Sequence, residues 1–218
     1  MRQDEVFRET KSFYLDCEGY ASPLLVQFAA DHAGHRILDV GCATGEYCGR
    51  LNELGFSCVG ADANPEYVAI ARKKHGVEAY CVPAESLGFS DNAFDTVILF
   101  EILEHIATPE AILREAKRVA RKNVLITTPD CTDFEKLKRA MLTYRHTLER
   151  EHVHFFTKAD LKSLLSRHFA TFSVEQREPI WLHSLLPAII RTPISLLYRA
   201  GLLEPIAYNR LYAVATVS

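Results

Sequence analysis

A chain of 218 residues is long enough to bury the core of one α/β domain, and 48% hydrophobic with 24% charged residues is an ordinary globular balance. The formal net charge of −3 excludes an overall basic field that would draw the chain to nucleic acid or to an anionic membrane. Six cysteines with no C-x-x-C pair (Cys17, Cys42, Cys48, Cys58, Cys81, Cys131) read as small buried residues of a reducing cytosol, not as a disulfide frame or a zinc site.

Met1 to Thr10 is polar and charged, which predicts no secretory leader and a cytoplasmic protein. Residues 2–33 predict one or two helices, with Phe7, Leu15, Leu24, Leu25 and Phe28 loosely periodic and Pro23 in a first turn. Arg36 to Val40 is apolar and β-branched apart from Asp39, as in a strand covered on both faces. Gly41 and Gly45 permit a sharp turn and a close ligand approach. A helix over 45–54 follows, with Tyr47, Leu51 and Leu54 on one side and Gly55 at its stop.

Asp39 is the odd residue in that strand, because a carboxylate there is costly to bury without a partner. Facing the turn, it would bind donors and repel a phosphate. Ala43 also stands where a dinucleotide loop has its middle glycine. The turn therefore suits a phosphate-free ligand with a cationic end. S-adenosylmethionine (SAM), with its ammonium, sulfonium, ribose and adenine, meets that description, and an NAD-linked oxidoreductase does not.

Strand and helix then alternate: strand 57–61 ending at Asp62, a helix from Pro65 to about Lys74 capped by Asn64, and strands 78–82 and 95–100. A helix over 109–119 capped by Thr108 leads to strand 123–127. This order predicts a parallel sheet with helices on both faces. Residues 132–149 read as a partly basic helix and 158–168 as another, with Leu161, Leu164 and Leu165 inward; 169–176 and 211–217 read as strands. Between these last two lies an apolar helical block, 179–206, broken by Pro187, Pro193 and Pro205. It is too interrupted to span a bilayer. It suits helices packed over the sheet edge at a dimer contact, or an apolar lid or membrane-surface patch.

Asp62 follows Gly45 by 17 residues, where an acid at a strand tip can accept hydrogen bonds from both hydroxyls of a ribose. A helix cap is the competing role. Ala63 and Asn64 would border the adenine. Phe100-Glu101-Ile102-Leu103-Glu104-His105 ends the fourth strand. If a helical turn begins at once, Glu101, Glu104 and His105 converge and suit a hard divalent cation such as Mg2+. His152 and His154, in Arg150 to Thr157, add two imidazoles that point the same way if extended, and the sequence does not choose between them.

Leu38-Asp39-Val40-Gly41-Cys42-Ala43-Thr44-Gly45 resembles the first motif of the class I SAM-dependent methyltransferases, with Cys42-Ala43 where that family often has Cys-Gly. The resemblance implies a Rossmann-like, doubly wound α/β fold over 1–218. Its seven-stranded sheet would have the order 3-2-1-4-5-7-6 with the last strand antiparallel, under an N-terminal helical cap, 1–33. Tyr14 and Tyr20 would be lid candidates in that cap, or ordinary core and surface aromatics. The implied cofactor-binding residues are Asp39, Gly41, Cys42, Ala43, Gly45, Asp62, Ala63, Asn64, Ala84, Glu85 and Phe100. Pro83 stands where the family usually has the Asp of its adenine-flanking pair, which leaves the backbone and Glu85. Phe94-Asp95 matches a structural pair. Glu101, Glu104 and His105 with His152 or His154 resemble the metal site of O-methyltransferases of the ubiquinone-biosynthesis and RNA 3′-end types.

For a hydroxyl acceptor, a base or a metal must ease loss of the proton; His105, with Glu101 and Glu104, would serve. The expected activity is therefore SAM-dependent O-methylation of a small or lipid-like acceptor. RNA 2′-O-methylation and a non-catalytic SAM-binding subunit are the alternatives. Basic runs at Lys117-Arg118, Arg121-Lys122 and Lys136 to Arg150 favour the first of these, and the net charge and apolar block argue against it.

Overall fold

The computed structural model describes residues 20–139, 151–180 and 188–217. Phe7, Tyr14, Leu15, Cys17, most of the 132–149 helix and residues 181–187 of the apolar block lie outside them. One seven-stranded sheet has the order β3-β2-β1-β4-β5-β7-β6. Its strands are β1 (Arg36–Val40), β2 (Ser57–Asp62), β3 (Ala79–Cys81), β4 (Phe94–Phe100), β5 (Ala120–Pro129), β6 (Thr171–Ile180) and β7 (Ala207–Thr216). The first five pair in parallel, and β7 runs antiparallel to both β5 and β6. The helices are α1 (Pro23–His32), α2 (Glu46–Glu53), α3 (Pro65–His75), α4 (Pro109–Val119), α5 (Phe134–Arg139), α6 (Lys158–Ser166) and α7 (Ala188–Arg199).

The sheet has a packed core on each face, because side chains alternate along each strand. Leu38, Val40, Val97 and Leu99 join Ile112, Leu113 and Ala116 of α4 and Leu161 and Leu165 of α6. Ile37 and Ile98 join Leu25 and Phe28 of α1, Leu51 of α2 and Ala71 of α3 on the other side. Asp39 shares its parity with Ile37 and so points at the α1–α3 layer. The Phe94-Asp95 pair is structural: Asp95 Oδ2 accepts from Arg36 N–H at 3.1 Å, and its carboxylate also pairs with Arg121 and Lys122. The Arg36 N–H and those two cations hold that carboxyl down at about 2.

Several boundaries differ from the sequence reading. β5 starts at Ala120, three residues early, since the exposed Arg121 and Lys122 obscure a strand whose Ala120 already pairs with Phe94. β6 runs on to Ile180, so the apolar block begins inside a strand. Thr108 makes no side-chain cap to α4; Asn64 does cap α3, accepting from Glu66 N–H. A capping box of Thr157 and Asp160 opens α6. In the apolar block, α7 carries Pro193 inside it and leaves Ile189, Leu196 and Leu197 exposed. Among the described residues, no helix is long and apolar enough to cross a membrane.

Candidate functional site

The turn between β1 and α2 is built from left-handed backbone. Gly41, Ala43 and Gly45 have φ of 77°, 44° and 85°. Ala43 thus adopts a conformation that costs a non-glycine residue roughly 1–2 kcal/mol, which accounts physically for a glycine preference at that place. Gly41 and Cys42 N–H both donate to the Ala61 carbonyl, and Gly45 N–H closes the turn on the Cys42 carbonyl at 2.9 Å. Gly60 of β2 leaves room for Cys42 Sγ, which lies 2.6 Å from where a Cβ would stand.

Asp62 reaches into the turn from the neighbouring strand tip. Its Oδ2 accepts from Ala43 N–H at 2.9 Å and its Oδ1 from Asn64 N–H at 2.8 Å. Burial raises its pKa, and these two donors oppose the rise. Asp62 does not cap α3, because Asn64 does. Ala63 is exposed beside it.

Asp39 is buried, and its recorded donor is the thiol of Cys48 on α2, 3.5 Å away, not the turn backbone. Burial pushes its carboxyl up to about 7; the Cys48 thiol opposes this, and Asp62 and Glu46 add to it. Three carboxyl groups, Asp39, Glu46 and Asp62, thus surround one turn, a field that attracts a cation. Glu46 is partly answered by Lys74 at 3.3 Å and His75 at 3.6 Å.

Ala84 is half-buried against the core and Glu85 is exposed, both after β3. The ring of Phe100 packs edge-on to Tyr47 at 5.5 Å and near Phe28 at 6.1 Å, so its side chain serves the wall behind the turn.

The sequence grouping of Glu101 with Glu104 and His105 is corrected by the backbone. Glu101 has φ of 53° and the 3-10 turn begins only at Leu103, so Glu101 leaves the face that the other two share. Its Oε2 instead lies 3.2 Å from Nε of Arg210, whose Nη1 is 2.5 Å from Glu178 Oε2. Glu178 also accepts from Tyr212 Oη–H and Asn209 Nδ2–H. Sequence reading missed Arg210 and Glu178, and nothing local marks them; they meet Glu101 only because β7 inserts between β5 and β6.

Glu104, His105 and His152 do converge, with one possible ligand atom from each lying within 4.8 Å of the others. The His105 and His152 rings meet edge-on at 4.7 Å, and Thr128 Oγ1 donates to Glu104 Oε2 at 3.2 Å. The loop is pinned by Val153 and His154 N–H, both donating to the Glu104 carbonyl. The chain is not extended there, so His154 parts from His152: its Nε2 lies 3.4 Å from the Ala107 carbonyl. An O,N,N donor set of this kind fits a divalent cation chemically.

A sequence profile of the methyltransferase domain matches residues 14–168, well over half the chain and all of the turn, strand tip and histidine cluster. The chain belongs to the methyltransferase domain family. This methyltransferase domain is 32% identical over 117 residues to a probable tRNA methyltransferase 9B of Mus musculus, covering 53% of this chain and 26% of that protein. It is 38% identical over 98 residues to a ubiquinone biosynthesis O-methyltransferase of Xanthomonas oryzae, covering 42% of this chain and 41% of that protein. The chain thus spans between a quarter and two fifths of these relatives. Its fold is that of a SAM-dependent methyltransferase from Archaeoglobus fulgidus (TM-score 0.69, 16% identity, 96% of this chain and 99% of that one). It is also that of magnesium protoporphyrin IX methyltransferase from Synechocystis, solved with bound SAM (TM-score 0.59, 16% identity, 97% and 91%).

Proposed function

We propose that this methyltransferase domain transfers the methyl group of SAM to an oxygen of a small or lipid-like acceptor. The observation that carries the reading is the joining of the Asp62 carboxylate to the Ala43 N–H. It sets a ribose-recognising acid against a turn ringed by carboxyl groups, a setting for a cationic, phosphate-free nucleoside. Asp39 supplies charge beneath the turn, Gly41, Cys42, Ala43 and Gly45 supply close backbone, and Ala63, Asn64, Ala84 and Glu85 border the adenine side.

Methyl transfer from a sulfonium is an in-line displacement in which the C–S bond breaks as the O–C bond forms. The protein's task is alignment, exclusion of water and acceptance of the hydroxyl proton. His105, flanked by His152 and by Glu104, would take that proton, a reading that their proximity supports. Glu104, His105 and His152 would also hold a divalent ion, which when bound would supply Lewis acidity at the acceptor oxygen.

The names of the relatives point to tRNA in one case and ubiquinone in the other. The formal charge of −3 supports the smaller acceptor over RNA. Calorimetry with S-adenosylhomocysteine and NADH in parallel tests the cofactor; binding of the first and not the second is expected, and the reverse overturns the reading. Thermal stability in chelator against Mn2+ tests the ion: a rise in Tm that Glu104→Ala abolishes supports a metal, and no rise leaves His105 acting as a plain base.

A further inference from the structure

A cavity of about 420 Å3 opens beside the histidine cluster, lined by Cys131, Thr132, Phe134, Glu135, Phe155 and Thr157. We propose that it is the acceptor subsite and that it takes the apolar body of an uncharged small molecule. The assignment rests on the methyl-transfer reading above.

Position comes first. Cys131 lies just beyond the C-terminal end of β5, on the edge of the sheet where ligands of doubly wound folds bind, and its N–H donates to the Phe156 carbonyl at 3.0 Å. The Phe155 ring lies 6.4 Å from that of His152, which meets His105 at 4.7 Å. One aromatic side chain is therefore shared between the cavity and His152, the neighbour of the group proposed to take the proton. The volume falls within the ~300–1,000 Å3 of small-molecule sites.

The chemistry of the lining sets the ligand class. Both threonine hydroxyls are already engaged in opening α6: Thr157 Oγ1 donates to Asp160 Oδ2 and accepts from its N–H, and Thr132 Oγ1 accepts from Lys158 N–H. Burial keeps the Cys131 thiol neutral, pushed up to about 11. Phe134 and Phe155 remain 38% and 49% exposed, apolar area that a ligand would cover. Among the described residues, the lining carries one charge, the carboxylate of Glu135, whose Lys138 partner is 3.9 Å away and mostly in solvent. That carboxylate disfavours a phosphate or carboxylate on the ligand.

The test titrates the full chain with 1-naphthol and, separately, with 1-naphthyl phosphate, following ligand fluorescence. Binding of 1-naphthol at least tenfold tighter than the phosphate is expected. Phe155→Ala and Phe134→Ala, at exposed positions that tolerate truncation, should each weaken 1-naphthol at least fivefold, and Glu135→Gln should narrow the gap between the ligands at least threefold. Equal affinity for the two ligands, or 1-naphthol binding indifferent to both phenylalanine variants, overturns the proposal. S-adenosylhomocysteine calorimetry on the same samples separates the two failures. Cofactor binding without 1-naphthol binding sinks the cavity assignment alone; 1-naphthol binding without cofactor binding sinks the methyl-transfer reading.

Discussion

The carboxylate of Asp62 and the backbone N–H of Ala43 meet at 2.9 Å, bridging two parallel strand tips. The contact fixes a turn that contains a non-glycine residue in left-handed geometry.

Asp62→Ala should therefore damage both turn and binding. It leaves the N–H groups of Ala43 and Asn64 without their acceptor, at about 1–3 kcal/mol in stability. S-adenosylhomocysteine affinity should fall at least tenfold by calorimetry, and Asp62→Asn, which keeps one acceptor oxygen, should fall less. Unchanged affinity in Asp62→Ala would remove the ribose role.

Asp39 makes stability and binding oppose each other with pH. Its folded-state pKa of about 7 lies above the unfolded value of 3.8, so between pH 4 and 7 the folded chain binds more protons than the unfolded one. Stability from this group is full below about pH 4 and declines as pH rises to about 7, by on the order of 4 kcal/mol. Asp39→Asn removes the decline: its Tm should match the wild type near pH 4.5 and exceed it at pH 8. A cationic ligand favours the ionised acid, so wild-type S-adenosylhomocysteine affinity should rise from pH 6 to 8. The variant should bind more weakly, with that rise removed.

Gly45 is held by packing as well as by φ. A Cβ there would stand 2.7 Å from Ala71 Cβ and 3.2 Å from its Cα, neither of which can swing aside. Gly45→Ala should cost about 2–4 kcal/mol in denaturant unfolding. Gly55 has φ of 91° with nothing within 4 Å of its Cβ position, so Gly55→Ala should cost only about 1–2 kcal/mol. Equal losses would mean that α3 does not press on the turn.

Arg210 stands between Glu101 and Glu178 with its side chain 20% exposed. Arg210→Met strands two carboxylates, and a loss of about 3 kcal/mol at pH 7.5 is expected. Arg210 helps hold the Glu178 carboxyl below its usual range against burial, so without it the loss should shrink as pH falls toward 5 and Glu178 takes up a proton. A loss independent of pH would place the defect in packing.

The sequence by itself determined the strand and helix order from Arg36 to Val119. Its elements are local, apolar by period and punctuated by Gly41, Gly45, Gly55 and the Pro65 and Pro109 helix starts. It also marked Asp39 and Asp62, because an acid at the end of a buried strand has few purposes. The strand order and the antiparallel β7 came from the family resemblance, not from any spacing, and the sheet has both.

Only the tertiary structure decided which polar groups meet. Pleat parity sends Asp39 to Cys48, and the left-handed Glu101 breaks the helical spacing that would have kept it beside Glu104. Strand insertion carries Arg210 to Glu101 across 109 residues. The loop's hydrogen bonds to the Glu104 carbonyl separate His152 from His154. These outcomes depend on backbone direction at single residues and on long-range pairing, and periodicity encodes neither.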